Sequence, residues 1–343
     1  WRRKKIRAYY THMTTASHAE HTGHRRPFDG SVPPIRFLNR ADARQWMRTH
    51  HTEYLHDTLV NTANRRARNY TTTRDFLARA PLEWHPSWQS ALTACVTDCV
   101  AQLWTWRRWL GTTWTFIAVD GTVVDDGMPH TIHDAIVLPE WLITKFLDGP
   151  PPKDAIETLL HEKVHTLQKN SQTAPFFEAL YRAWGWQPLD SETVPQMVRA
   201  MHRTNPDTPR WWTIAPHNNR TPTRWLPCVR LVPNATSIRD VDYFFVRRVR
   251  GRELRWTPMV GTNGDGNGNG DRGGGDSGED EIDTEMRTWY AKYYGHRPFC
   301  YHPDECAAVI LAEWWIQEYA GKNSRQPRGV DPASRELINT LLP

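Results

Sequence analysis

The sequence predicts an α+β fold: a small sheet packed on one helix, with further helices around it. Three stretches carry that expectation. In residues 87–110, Trp88, Leu92, Cys95, Cys99, Leu103, Trp106 and Leu110 recur at spacings of three and four, the period of a buried helix face. The run Trp114-Thr115-Phe116-Ile117-Ala118-Val119, closed by Asp120-Gly121, and the run Ala135-Ile136-Val137-Leu138, closed by Pro139, read as two buried strands. Downstream of them, Ile156, Leu160, Val164 and Leu167 repeat at four, four and three, a second helical stripe.

In chain order, residues 1–34 are expected to form a basic flexible tail, rich in His and closed by Pro33-Pro34. Residues 35–110 read as a helical N-terminal region. Asn39 is placed to cap a helix through Trp46, Met47, Tyr54 and Leu55, and Gly111 ends the helix of residues 87–110. Residues 111–343 read as the main domain. Before its central helix, Asp148-Gly149-Pro150-Pro151-Pro152 breaks regular structure, and Asp154 and Glu157 bring negative charge to the helix start. Two helical stretches follow, one around Phe177, Leu180, Tyr181 and Trp184 and one around Val194, Met197, Val198 and Met201. Residues 210–256, which include Tyr243-Phe244-Phe245-Val246, read as strands and loops. The Gly/Asn/Asp-rich stretch 261–283 is a disordered insert by composition. Its Asp265, Asn267, Asn269 and Gly270 match half of a calcium loop, but Arg272 and Asp276 break the pattern. Pro303 opens another helix, Gly321 stops it, and Asp331-Pro332 opens a last one.

Composition bounds the function. The net charge is +5, yet the first 70 residues carry +9, so the remainder carries −4. The basic arm, starting at Arg2-Arg3-Lys4-Lys5, is a weak candidate for contact with nucleic acid, a membrane surface or an acidic partner; a solvated tail is the plainer reading. The five cysteines show neither a disulfide framework nor a C-x-x-C metal pattern, which points to a reducing compartment, cytoplasmic or virion-associated. No run of 18 apolar residues is present to span a membrane. The chain starts at Trp1 rather than Met, so a preceding targeting segment stays open.

The chemistry concentrates in His161-Glu162-Lys163-Val164-His165, an H-E-x-x-H motif on the predicted central helix. One helical turn separates the two imidazoles, so both reach one metal ion, and Glu162 reaches a water beside it. A catalytic zinc takes three protein ligands and one open position. The third ligand is expected to be Glu305, in the first turn of the helix that Pro303 opens. Ala308 and Ala312 lie on its stripe and would let that helix pack closely on the central one. Asp207, His302, Glu178 and Glu313 follow in that order. The expected cofactor is one Zn2+ per chain, held by His161, His165 and Glu305, with Glu162 as general base. His302 is the first candidate for stabilising the oxyanion, ahead of Tyr301, Tyr243 and His130. Gln168, one turn beyond His165, is placed to support a ligand.

A Glu-x-x-Ala helix completing H-E-x-x-H resembles the gluzincin branch of zinc metallopeptidases. More narrowly, Gly127-Met128-Pro129-His130-Thr131, the H-E-x-x-H motif with Gln168, Asn205-Pro206-Asp207 and His302-Pro303-Asp304-Glu305 resemble a metallopeptidase group encoded by large DNA viruses. The resemblance implies a zincin-like fold and hydrolysis of a peptide or protein substrate. Peptidases of this kind often hold the substrate as an added strand on a sheet edge. Two rivals stand beside this expectation. One is a non-catalytic zinc-binding virion or assembly protein, which a fourth protein ligand such as His302 or Asp207 would mark. The other is a nucleic-acid-binding protein driven by the basic arm.

Overall fold

A computed structural model describes residues 32–50, 79–121, 127–202, 207, 210–215, 224–231, 241–248, 254–258 and 301–320. The expectations for residues 1–31, for the insert 261–283 and for a helix after Asp331 lie outside the described residues. Within them the chain is mixed α+β, with eight α-helices and nine strands. The strands are β1 (Ile35–Phe37), β2 (Trp114–Val119), β3 (His130–Ile132), β4 (Ala135–Pro139), β5 (Trp186–Leu189), β6 (Trp211–Ile214), β7 (Leu226–Leu231), β8 (Val241–Arg248) and β9 (Leu254–Pro258). The helices are α1 (Arg40–His50), α2 (Pro86–Gln102), α3 (Arg107–Leu110), α4 (Glu140–Thr144), α5 (Lys153–Lys169), α6 (Ala174–Ala183), α7 (Gln196–Met201) and α8 (Pro303–Tyr319). None of the described helices is long and apolar enough to cross a membrane.

The central sheet has the order β1-β2-β4-β3. β1, β2 and β4 run parallel, and β3 closes one edge antiparallel to β4. Every residue of β2, β3 and β4 is buried, as expected for strands covered on both faces. Side chains alternate across the sheet. Ile117, Val119, Ile132, Ala135 and Val137 form one core with Ala43 and Met47 of α1. The opposite face therefore belongs to the intervening positions, Thr131 and Ile136 among them. The central helix α5 lies against β3 and β4 and also contacts α6 and α8.

The predicted stripe of α5 holds: Ile156, Leu160, Val164 and Leu167 are all buried, and Leu159 joins them. At about 1.5–3 kcal/mol per buried aliphatic side chain, these five offset the cost of carrying polar groups on the same helix. The buried Lys163 is one such group. Its Nζ donates to the carbonyl of Thr113 at 2.8 Å and sits 4.7 Å from the Trp114 ring centroid. Burial lowers its pKa to about 7.

Among the described helices, α8 makes its most extensive contact with α5. Ala307, Ala308 and Ala312 are fully or almost fully buried, so the expected close approach along the small-residue stripe is present. The far end of α8 is tied down by Glu318, whose carboxylate accepts from Thr105 Oγ1 at 2.6 Å and Trp106 Nε1 at 3.0 Å.

Residues 35–37, expected within a helical N-terminal region, form β1, which pairs with β2. Nor is residues 87–110 one helix. It stops at Gln102, a 3₁₀ turn spans Trp104–Trp106, and α3 follows. Periodicity cannot see this break, because Thr105 and Trp106 turn to meet Glu318, more than 200 positions away. Asn39 does cap α1: its Oδ1 accepts the Asp42 N–H at 2.9 Å. The short β3 and β5 escaped sequence reading. β6, β7, β8 and most of β9 fall in the expected strand-and-loop region, β6 pairing with β5 and β7-β8-β9 forming a three-stranded antiparallel sheet.

Candidate metal centre

Two helices build the centre. α5 presents His161 and His165 one turn apart, and the first turn of α8 presents Glu305 to the same point. The His161 and His165 Nε2 atoms are 3.0 Å apart. Glu305 Oε2 is 3.5 Å from His161 Nε2, and Glu305 Oε1 is 3.6 Å from His165 Nε2. Ligand bonds of about 2.0–2.2 Å set tetrahedral zinc ligands roughly 3.3–3.6 Å apart, so the three side chains fit one small cation. Those three residues form one of the two groups among the described residues that could hold a metal ion. Glu305 lies 140 positions after His165, and the packing of α8 on α5 brings the two together.

The tautomer of His165 is fixed by its neighbours. Gln168 Nε2 donates to the Asp304 carbonyl at 2.8 Å, which orients Gln168 Oε1 toward His165 Nδ1 at 2.7 Å. Nδ1 must then carry a proton, which leaves Nε2, facing Glu305 and His161, as the nitrogen that a metal ion would take in place of its proton. Gln168 thus orients His165 and ties together the two helices that carry the candidate ligands. Replacing it with Leu is expected to weaken the affinity of the centre for a divalent metal ion roughly 10- to 100-fold, as loss of outer-shell partners does, while the chain stays folded. Competition with a chromogenic chelator measures this, and an unchanged dissociation constant would remove Gln168 from the centre.

The electrostatics favour a positive guest. Burial pulls the pKa of His165 down, but the Asp207, Glu305 and Glu162 carboxylates outweigh it and hold it at about 10. Burial works against the Glu305 carboxylate, yet the two imidazoles keep its pKa well below the usual carboxylate range. Three carboxylates thus surround two imidazoles in a buried space, and positive charge there is stabilised. His161 remains 22% exposed while His165 is fully buried, so the centre opens to solvent on the His161 side.

Glu162 is buried on α5, and Thr131 Oγ1 of β3 donates to its Oε2 at 2.8 Å. Burial and the nearby Asp207 raise its pKa, against the pull of His161, His165 and Thr131. Asp207 is the residue that sequence reasoning ranked second as a ligand. Its carboxylate accepts the Thr131 N–H at 2.7 Å. It groups with Glu162 and His165, but not with His161 and Glu305. Lys169 Nζ donates to the Thr131 carbonyl at 2.9 Å and lies 3.9 Å from Asp207 Oδ1.

His302, expected to stabilise an oxyanion, caps α8. Its Nδ1 accepts the Asp304 N–H at 3.2 Å as the N-cap of α8, and its Nε2 donates to the Arg210 carbonyl at 2.8 Å. Burial lowers its pKa, which suits a neutral ring that both accepts and donates. Of the other candidates, Tyr301 and Tyr243 pack on each other with ring centroids 5.6 Å apart, and His130 Nδ1 meets the Met128 carbonyl at 3.1 Å. Glu178 pairs with Arg210 at 3.0 Å, away from the centre, and Glu313 belongs to neither metal-capable group.

Thr131 and Lys169 were not identified as site residues from the sequence. Thr131 carried a signal only as part of a short stretch of the resemblance, and Lys169 carried none. The four stretches of that resemblance meet here: His130-Thr131 on β3, the motif with Gln168 on α5, Asp207 between α7 and β6, and His302 to Glu305 at the start of α8. Neither protein-family models, nor curated proteins, nor solved structures give a match to this chain.

The edge of β3 differs from the open strand that a peptide would extend. In its register with β4, Thr131 is the β3 residue whose N–H and C=O turn outward, and Asp207 and Lys169 occupy both. Pro129 just before β3 has no N–H to offer. A peptide added at Thr131 must displace both side chains.

Proposed function

We propose that this chain is a zinc-dependent metallopeptidase of zincin-like architecture, hydrolysing peptide bonds with Glu162 as general base. The observation that carries the reading is the meeting of His161, His165 and Glu305 within 3.0–3.6 Å, with Glu162 buried beside them. Two imidazoles and one carboxylate are the donor set of a catalytic zinc with an open position. When bound, zinc supplies Lewis-acid polarisation and acidifies water toward neutral pH. The protein's own groups do the rest. Glu162 takes the proton from the attacking water and returns it to the leaving amine. Its raised proton affinity suits both steps, since a base poised nearer neutrality also serves as the acid. Gln168 keeps His165 Nε2 turned inward. The exposed side of His161 gives substrate and water an approach.

A closed structural zinc, the core of the non-catalytic virion or assembly reading, needs a fourth protein ligand. His302 spends both ring nitrogens on backbone groups, and Asp207 is engaged by the Thr131 amide. Both arrangements favour the catalytic reading.

Metal analysis of the purified protein, combined with digestion of casein or a peptide library, tests the proposal. About one zinc per chain is expected, with cleavage that a chelator abolishes and added zinc restores. Zinc-loaded protein that cleaves nothing in the library would transfer the chain to the non-catalytic reading.

A further inference from the structure

The group that holds Glu162 in place sits on the sheet and not on the helix. Thr131 is buried on β3, and side-chain alternation sends its neighbour Ile132 into the core beneath α1. Thr131 therefore faces α5. Its Oγ1 meets Glu162 Oε2 at 2.8 Å and the Glu162 carbonyl at 3.3 Å. A charge-assisted hydrogen bond to the carboxylate is the stronger of the two. From the outer side, Asp207 takes the Thr131 N–H at 2.7 Å and Lys169 takes its C=O at 2.9 Å. All three polar groups of this one residue are committed, and two of them lead to side chains that brace it from outside.

We propose that Thr131 is the positioning residue of Glu162. Its hydroxyl holds Oε2 and leaves Oε1 as the oxygen that exchanges the proton, while Asp207 and Lys169 fix Thr131 from the free edge of β3. The kinetic consequence rests on the metallopeptidase reading; the Thr131–Glu162 pair does not. A freely rotating carboxylate would spend time with neither oxygen aimed at the water, and proton transfer requires hydrogen-bond reach. Thr131 removes that freedom without touching a metal ligand.

The test uses the full chain. Thr131→Val keeps the side-chain shape and the backbone groups that Asp207 and Lys169 hold, and deletes only the hydroxyl. Zinc content and KM are expected to stay at the wild-type level while kcat falls roughly 10- to 100-fold, the usual cost of losing a supporting hydrogen bond at a reactive group. Thr131→Ser should restore most of the loss. An unchanged kcat in Thr131→Val overturns the assignment. A second readout needs no activity: the thermal unfolding midpoint of Thr131→Val, made in the wild-type and Glu162→Ala backgrounds. The hydroxyl should raise the midpoint by a few degrees only when the carboxylate is present. Equal losses in both backgrounds would reduce Thr131 to a packing residue. If zinc-loaded wild-type protein cleaves nothing, the metallopeptidase reading falls, and the midpoints alone decide the pair.

Discussion

Glu162→Gln will keep zinc at about one per chain and lower peptidase activity by roughly 10²- to 10⁴-fold, the span that a positioned general base contributes. The substitution is nearly isosteric. The amide oxygen still accepts from Thr131 Oγ1, so the local hydrogen bond at 2.8 Å survives. His161, His165 and Glu305 are untouched, which is why metal content should not move. Only the capacity to take a proton is lost. Folding should not suffer either, because burial and Asp207 both disfavour the carboxylate that is removed. An unfolding midpoint equal to or above that of the wild type, alongside lost activity, separates chemistry from stability. Full activity in Glu162→Gln would end the proposed mechanism.

Glu305→Ala is expected to empty the centre. The carboxylate spans both imidazoles, at 3.5 Å and 3.6 Å, and removing it leaves two neutral donors that cannot balance a dication. Zinc affinity should fall by more than the roughly 10- to 100-fold that outer-shell changes cost. The fold should persist. α8 remains pinned by Gln168 and His302 at its start and by Glu318 at its end. What is lost is the metal's own contribution to stability, since a ligand bound only by the folded state raises the unfolding midpoint by an amount that grows with the logarithm of its free concentration relative to Kd. The wild-type protein should therefore show a zinc-dependent midpoint and Glu305→Ala should not. Elemental analysis after dialysis against a weak chelator gives the direct answer. Undiminished zinc in this variant would place the third ligand elsewhere, with Asp207 the next carboxylate by position.

The legible parts of this chain were the local ones. The α5 stripe, the two buried runs of β2 and β4, and the Asn39 cap each follow from residues within one or two turns of each other. So does the pairing of His161 with His165, since an α-helix by itself brings positions four apart onto one face. Glu305 was legible for a different reason. Small residues at Ala308 and Ala312 share its stripe, and a helix edge of that kind invites close packing. His302 was read for chemistry because it stands three residues before Glu305. Yet the residue before a helix-opening Pro-Asp is placed to cap that helix, and the capping bond took the ring. The helix break after Gln102 and the three-residue β3 left no readable pattern, because each is set by partners far along the chain.

Sequence alone determined two of the candidate donors and the carboxylate beside them: His161, His165 and Glu162 share one helix, and their spacing is fixed by helical geometry whatever surrounds them. Only the tertiary structure decided how that carboxylate is held and which surface is open, because Thr131, Asp207 and Lys169 come from separate elements. Their hydrogen bonds exist only after the edge of the sheet is packed against the helix, and no local pattern encodes a contact between groups that the chain brings together last.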